Sequence, residues 1–167
     1  GRRLAVAAVL APALTALAIG FLFGNNGKDM QYRFTPEEVS GALWLYHHAP
    51  KGTLLVEGSR NYPSQFLNYE NFTYLPIANE APQERRRILA DPAATLKRWM
   101  SDPRWTAGYV VLTRSQKAAV EAFGVLAPGA LDDLEAALLS SPDFRLDLAN
   151  KDVRIFRFVP VEPAGVP

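Results

Sequence analysis

The chain has 167 residues, 49% of them hydrophobic and 21% charged, enough apolar material for one packed domain with an appendage and too much for a disordered tail. Eighteen basic against seventeen acidic residues leave a net charge of +1, which excludes the broad basic stripe that neutralises a phosphate backbone, so no nucleic-acid partner is expected. With no cysteine and two histidines, disulfides, thiolate metal sites and cysteine nucleophiles are excluded, and no cofactor is expected.

The average conceals a division. No charged residue lies between Arg3 and Lys28, and the centre of that gap, Leu4 to Phe23, reads LAVAAVLAPALTALAIGFLF. As a helix rising about 1.5 Å per residue this run spans roughly 30 Å, the thickness of a bilayer's hydrocarbon core. Residues 1–24 therefore predict a transmembrane helix. The rivals are a buried soluble helix and, more strongly, a signal peptide, for which Ala16-Leu17-Ala18 fits the small-x-small rule. Against it, the apolar run continues through Ile19, Phe21, Leu22 and Phe23, and the chain begins with Gly1, pointing to a piece of something longer. Seven alanines, with Pro12 and Gly20, suit a helix packed closely on other helices, so it is read as the last span of a multi-span protein. Arg2 and Arg3 put the preceding side in the cytoplasm and residues from 25 onward on the extracytoplasmic side. The expected partners are the membrane and upstream transmembrane helices.

Residues 25–160 predict an α/β domain. Thr35-Pro36-Glu37-Glu38 opens a helix with a capping box, and Val39, Ala42, Leu43, Tyr46 and Ala49 recur on one face until Pro50 and Gly52. Thr53–Val56 is a strand buried on both faces. A loop from Glu57 to Pro63 follows, then a helical turn over 64–69 and a second strand at Phe72–Leu75. Residues 82–101 predict two helices divided at Asp91-Pro92. Tyr109–Leu112 is a third strand, Ser115–Phe123 a helix closed by Gly124, and Pro128–Ser140 a helix with Leu131, Leu134 and Leu138 on one stripe. Phe144, Leu146 and Leu148 alternate with polar residues, as in a strand with one wet face, and return as Val153–Val159 through a tight turn at Asn150-Lys151 whose Asn tolerates left-handed backbone. The sum is a small, three-layer-like α/β domain whose mixed sheet ends in an antiparallel hairpin; residues 161–167 predict a disordered tail.

Few residues point to chemistry. His47 and His48 sit side by side, about 100° apart on a helix, and cannot hold one metal in the i,i+4 manner, so no metal site is expected. Arg85-Arg86-Arg87 with Lys97 and Arg98 form one basic concentration, a solvated helix face or a contact for anionic lipid. No nucleophile elbow, P-loop or dinucleotide turn occurs. The loop after the first strand gathers Glu57, Ser59, Arg60, Asn61 and Tyr62, with Tyr69, Glu70 and Tyr74 shortly after. Carboxylate, guanidinium, amide and aromatic faces are what a carbohydrate site uses, and ligands of open α/β sheets bind beyond the C-terminal ends of strands. The candidate ligand-binding set is Glu57, Ser59, Arg60, Asn61, Tyr62 and Tyr69. The same composition also suits an ordinary loop, with the tyrosines packed inward and Arg60 paired to Glu57 or Glu70.

An apolar helix followed by GNNGKDMQYRFTPEEVSGALWLYHHAPKGTLLVEGS, then NYPSQFLNYENFTYL, a YVVLTRSQ strand and helix and a final DFRLDLANKDVRIFRF hairpin resembles the extracytoplasmic C-terminal domain after the last span of large bacterial membrane proteins. Those are similar to the C superfamily of membrane glycosyltransferases, which use polyprenyl-phosphate sugars. The likeness covers most of residues 4–159. It implies a location at the bacterial cell membrane and a parent protein of that kind and leaves the domain's role open; the first expectation is an accessory domain that contacts the acceptor glycan or a lipid-linked sugar or shapes the external active site. Since that superfamily's catalytic carboxylate lies in an early external loop, it gives no catalytic residue here. The alternative expectation is a membrane-anchored or secreted, non-catalytic α/β binding module. A self-sufficient enzyme is the weakest reading, with no acid, base and nucleophile set visible.

Overall fold

The central strands are buried along their whole length because helices cover both faces of the sheet. The computed structural model describes residues 12, 14–17, 33–60 and 62–160. The predicted transmembrane segment 1–24, apart from 12 and 14–17, lies outside the described residues, as do the exit 25–32 and the tail 161–167. Residues 12 and 14–17 are helical, and Leu14 and Leu17 are exposed. Among the described residues no helix is long and apolar enough to cross a membrane.

The chain runs α1 (Pro36–His48), β1 (Thr53–Glu57), β2 (Phe72–Pro76), α2 (Pro82–Ala90), α3 (Pro92–Met100), β3 (Gly108–Thr113), α4 (Arg114–Ala122), α5 (Ala130–Leu139), β4 (Phe144–Ala149) and β5 (Val153–Phe158). The sheet order is β2-β1-β3-β5-β4. β1 pairs in parallel with β2 and β3, while β5 is antiparallel to both β3 and β4. The expected α/β class, the neighbouring central strands and the terminal hairpin are all present. Leu54, Val56, Val110, Leu112 and Phe156 face a core built with α2–α5. Leu55, Tyr109, Val111, Val153 and Ile155 face a second core under α1, with Ala42, Leu45 and Tyr62.

Local chemistry fixes the ends. Thr35 Oγ1 accepts from Glu38 N (3.2 Å) and Glu38 Oε2 accepts from Thr35 N (2.9 Å), completing the expected capping box. Asp91 caps α3 by accepting from Ala94 N (3.2 Å). A second capping box, Thr113 with Gln116, starts α4 at Arg114, one residue before the expected Ser115.

Three local expectations are corrected. The buried face of α1 is Glu38, Gly41, Ala42 and Leu45, while Val39 and Leu43 are exposed at 44% and 45%. Alternation in β4 breaks at a bulge between Leu146 and Leu148, which returns Leu148 to the α1 face and leaves Leu146 exposed. Asn150 turns the hairpin through its side chain, accepting from Asp152 N (3.0 Å) and Val153 N (2.8 Å). Its backbone is not left-handed, Asn68 being the only non-glycine with positive φ among the described residues.

Candidate functional site

Parallel strands β1, β2 and β3 end on one edge of the sheet, where β5 begins, since Val153 pairs with Thr113. Strand order turns back at β1, with β2 on one side and β3 on the other. The loops leaving β1 and β3 at this switch point frame the usual ligand crevice of such sheets. Gln116 Nε2 spans the two by donating to Ser59 O (3.2 Å).

The exit from β3 is closed. Glu38 is fully buried; its Oε1 accepts from Ser115 N (2.7 Å) and its Oε2 lies 3.5 Å from Arg114 Nη2. Thr113 N donates to Gln116 Oε1 (3.1 Å), and Gln116 N donates back to Thr113 Oγ1 (3.2 Å). These bonds occupy the first amides of α4, so the helix N-terminus is not open to an anion.

The exit from β1 is built differently. Glu57 is also fully buried, with Oε1 accepting from Ser64 Oγ and Oε2 without a hydrogen-bond partner. Burial pushes its carboxyl up to about 7, against smaller lowering effects of Ser64 and Arg60. Tyr62 is buried as well, its hydroxyl unpartnered and pressed on Gly41, where a Cβ would come within 2.8 Å of it. Burial, reinforced by Glu57, raises the Tyr62 phenol far above its ordinary value. Tyr46 Oη donates to Pro63 O (2.7 Å) and Tyr74 Oη to Ser64 O (2.8 Å), strapping the returning loop against the sheet.

The candidate residues thus separate. Glu57 and Tyr62 lie under α1, and Tyr69 is exposed farther along the loop, its ring 6.5 Å from that of Tyr74. Asn61 lies outside the described residues. Ser59 and Arg60 line a pocket of about 350 Å³ with Ala78, Asn79, Phe123 and Val125, beside Ala119 and Val120 of α4. That volume is in the range of small-molecule sites, and the lining combines apolar walls with a guanidinium and an amide. Gly58 lets α5 close over this corner, since a Cβ there would meet Leu131 Cδ1 at 2.6 Å. Asn79 and Phe123 were not singled out in the sequence; each comes from a different segment, and only the parallel pairing of β1 with β2 and β3 gathers them.

A second cleft of about 410 Å³ lies beside α4, α5 and the β4–β5 turn, lined by Arg114, Lys117, Lys151 and Arg154 opposite Asp132, Glu135 and Asp152. Its charges largely answer one another: Lys117 Nζ meets Asp132 at 2.6 Å and Glu135 at 2.7 Å, and Arg154 meets Glu135 at 3.3 Å. The arginine run on α2 is also divided: Arg85 donates to Ala78 O (3.0 Å), Arg87 pairs with Glu84 (2.8 Å) and Arg86 faces solvent. Lys97 bridges to Asp143 at 2.9 Å. His48 stacks on Trp44 with ring centroids 4.2 Å apart, both histidines exposed at the end of α1. Among the described residues no group of three or more histidines or carboxylates could hold a metal.

No family model, curated protein or solved structure matches the chain.

Proposed function

We propose that this chain is the extracytoplasmic portion of a bacterial membrane glycosyltransferase-like protein, anchored through Leu4–Phe23, and that the domain recognises a glycan or the sugar of a polyprenyl-phosphate carrier. The observation that carries the reading is the pocket at the β1 exit, where Arg60 and Asn79 stand beside Phe123 and Val125. A sugar presents hydroxyls to the guanidinium and amide and a flat apolar face to the ring. The uncharged run of residues 4–27 and the segment order that resembles the C superfamily support the membrane setting. Recognition is the domain's part in the reaction, and the parent's own carboxylate supplies the chemistry.

The test is glycan transfer by the full-length parent in membranes, with Arg60→Ala and Asn79→Ala introduced together. The expected outcome is at least a tenfold fall in kcat/KM, about 1.4 kcal/mol, with unchanged protein level and insertion. Unchanged transfer would make the pocket a passive cleft.

A further inference from the structure

Phe66, 76% exposed, and Leu67 and Tyr69, 54% and 62% exposed, project from the loop between β1 and β2. From Asn61 to Tyr69 this loop carries no charged residue. The loop is held by bonds to α1 and β2: Tyr46 Oη accepts from Leu67 N (3.3 Å) while donating to Pro63 O, and Tyr74 Oη donates to Ser64 O. The segment cannot fold under to hide Phe66 without breaking them. Tyr46 also ties the loop to α1, where Leu43 and Val39 lie one and two turns before it on the same side of the helix. Both are about 45% exposed. Helix and loop therefore share an apolar surface that the domain's own core leaves uncovered.

The chain's path indicates what covers it. The domain is entered at the edge where Arg114 Nη2 donates to Arg33 O (2.6 Å), and α1 starts three residues later. Residues 24–32, between the apolar run and that edge, can span at most about 30 Å when fully extended, about the diameter of a small domain. A tether of that length keeps the entry to α1 within about one domain diameter of a bilayer that takes up Leu4–Phe23, and the apolar surface is the face that contact with lipid would favour. Phe, Leu and Tyr around an uncharged loop are the residues that settle at the boundary of headgroups and acyl chains.

We propose that the outer face of α1, through Val39 and Leu43, and the Phe66–Tyr69 loop dock on the surface of the lipid bilayer. This rests on the reading of Leu4–Phe23 as a span.

Because the chain lacks cysteine, the test can use single nitroxide labels on the full chain in phosphatidylcholine–phosphatidylglycerol liposomes. The sites are Leu14→Cys, Leu43→Cys, Phe66→Cys and, on α3 at the opposite face of the sheet, Arg98→Cys. Collision with oxygen is compared with collision with a water-soluble nickel chelate. The expected result is an oxygen-to-nickel ratio several-fold higher at positions 14, 43 and 66 than at 98. Lipid burial at 14 with water exposure at 43 and 66 would overturn the docking and leave the span intact. Water exposure at 14 would overturn the span and the docking with it. A label at 66 shielded from both reagents would mean that protein covers the patch, which also overturns lipid as its occupant.

Discussion

Two glutamates, both without measurable exposure, stand at neighbouring exits of the same sheet edge. Glu38 closes the β3 exit with both oxygens engaged, to Thr35 N, Ser115 N and Arg114. Glu57, at the β1 exit, has one oxygen on Ser64 and the other unpartnered. A saturated carboxylate is architecture: it ties α1 to α4. A half-satisfied one sits beside a loop that still has an open pocket. The difference marks the β3 exit as structural and leaves the β1 exit as the one where recognition is proposed, although both exits occupy the switch point where either could have held a ligand.

Removing Glu38 should break the comparison most violently. Glu38→Ala removes the acceptor of the Thr35 and Ser115 amides and the carboxylate beside Arg114, and breaking such a buried set costs about 3–5 kcal/mol. Chemical denaturation should show a loss of that order, with no separate effect on the β1 pocket in whatever fraction stays folded.

Glu57 sharpens the contrast through pH. Its carboxyl titrates near 7 when folded, against an ordinary value of 4.5. Between those values the unfolded chain has already lost the proton that the folded chain retains. Stability is therefore full below about pH 4.5, falls as pH rises toward 7 and levels off above, by up to about 3 kcal/mol. Glu57→Gln keeps an acceptor for Ser64 but cannot ionise. Melting curves should show it close to wild type at pH 4 and more stable at pH 8, with the slope between them reduced.

Gly41→Ala is the smaller probe of the same region. Alanine favours a helix interior by about 1 kcal/mol over glycine, but its methyl would lie 2.8 Å from the Tyr62 hydroxyl and 3.0 Å from Val153 Cγ1. Displacing them costs about 1–3 kcal/mol, so urea melts should show a net loss of about 1 kcal/mol. A gain in stability would mean that Tyr62 moves freely. Smallest of all in stability is Arg60→Ala: an exposed side chain should shift the melt by no more than about 0.5 kcal/mol, so any effect on sugar recognition is separable from folding.

How much of this was legible follows from what each signal measures. The strands Thr53–Glu57 and Gly108–Thr113 showed because burial on both faces writes continuous apolar runs. The α1 capping box could be read from Thr35 to Glu38, and the one at Thr113-x-x-Gln116 was equally readable but lay at the seam of a strand and a helix. The exposed Val39 and Leu43 could not be told from core by periodicity, because an apolar stripe reports hydrophobicity and not what covers it. The site was half legible. Proximity in sequence put Glu57, Arg60 and Tyr62 together, yet strand alternation and the loop's return send Glu57 and Tyr62 to one face and Arg60 to the other. Asn79 and Phe123 join Arg60 only through long-range pairing, which no local pattern contains.

The most direct measurement is a backbone amide NMR titration of the full chain, in bilayer nanodiscs, with a neutral oligosaccharide. If the β1 exit is the recognition site, shift changes should gather at Ser59, Arg60, Asn79, Phe123 and Val125 and leave Thr113–Gln116 unmoved, and Arg60→Ala should abolish them. Changes centred instead on Lys117, Lys151 and Arg154, or none at millimolar sugar, would contradict the account.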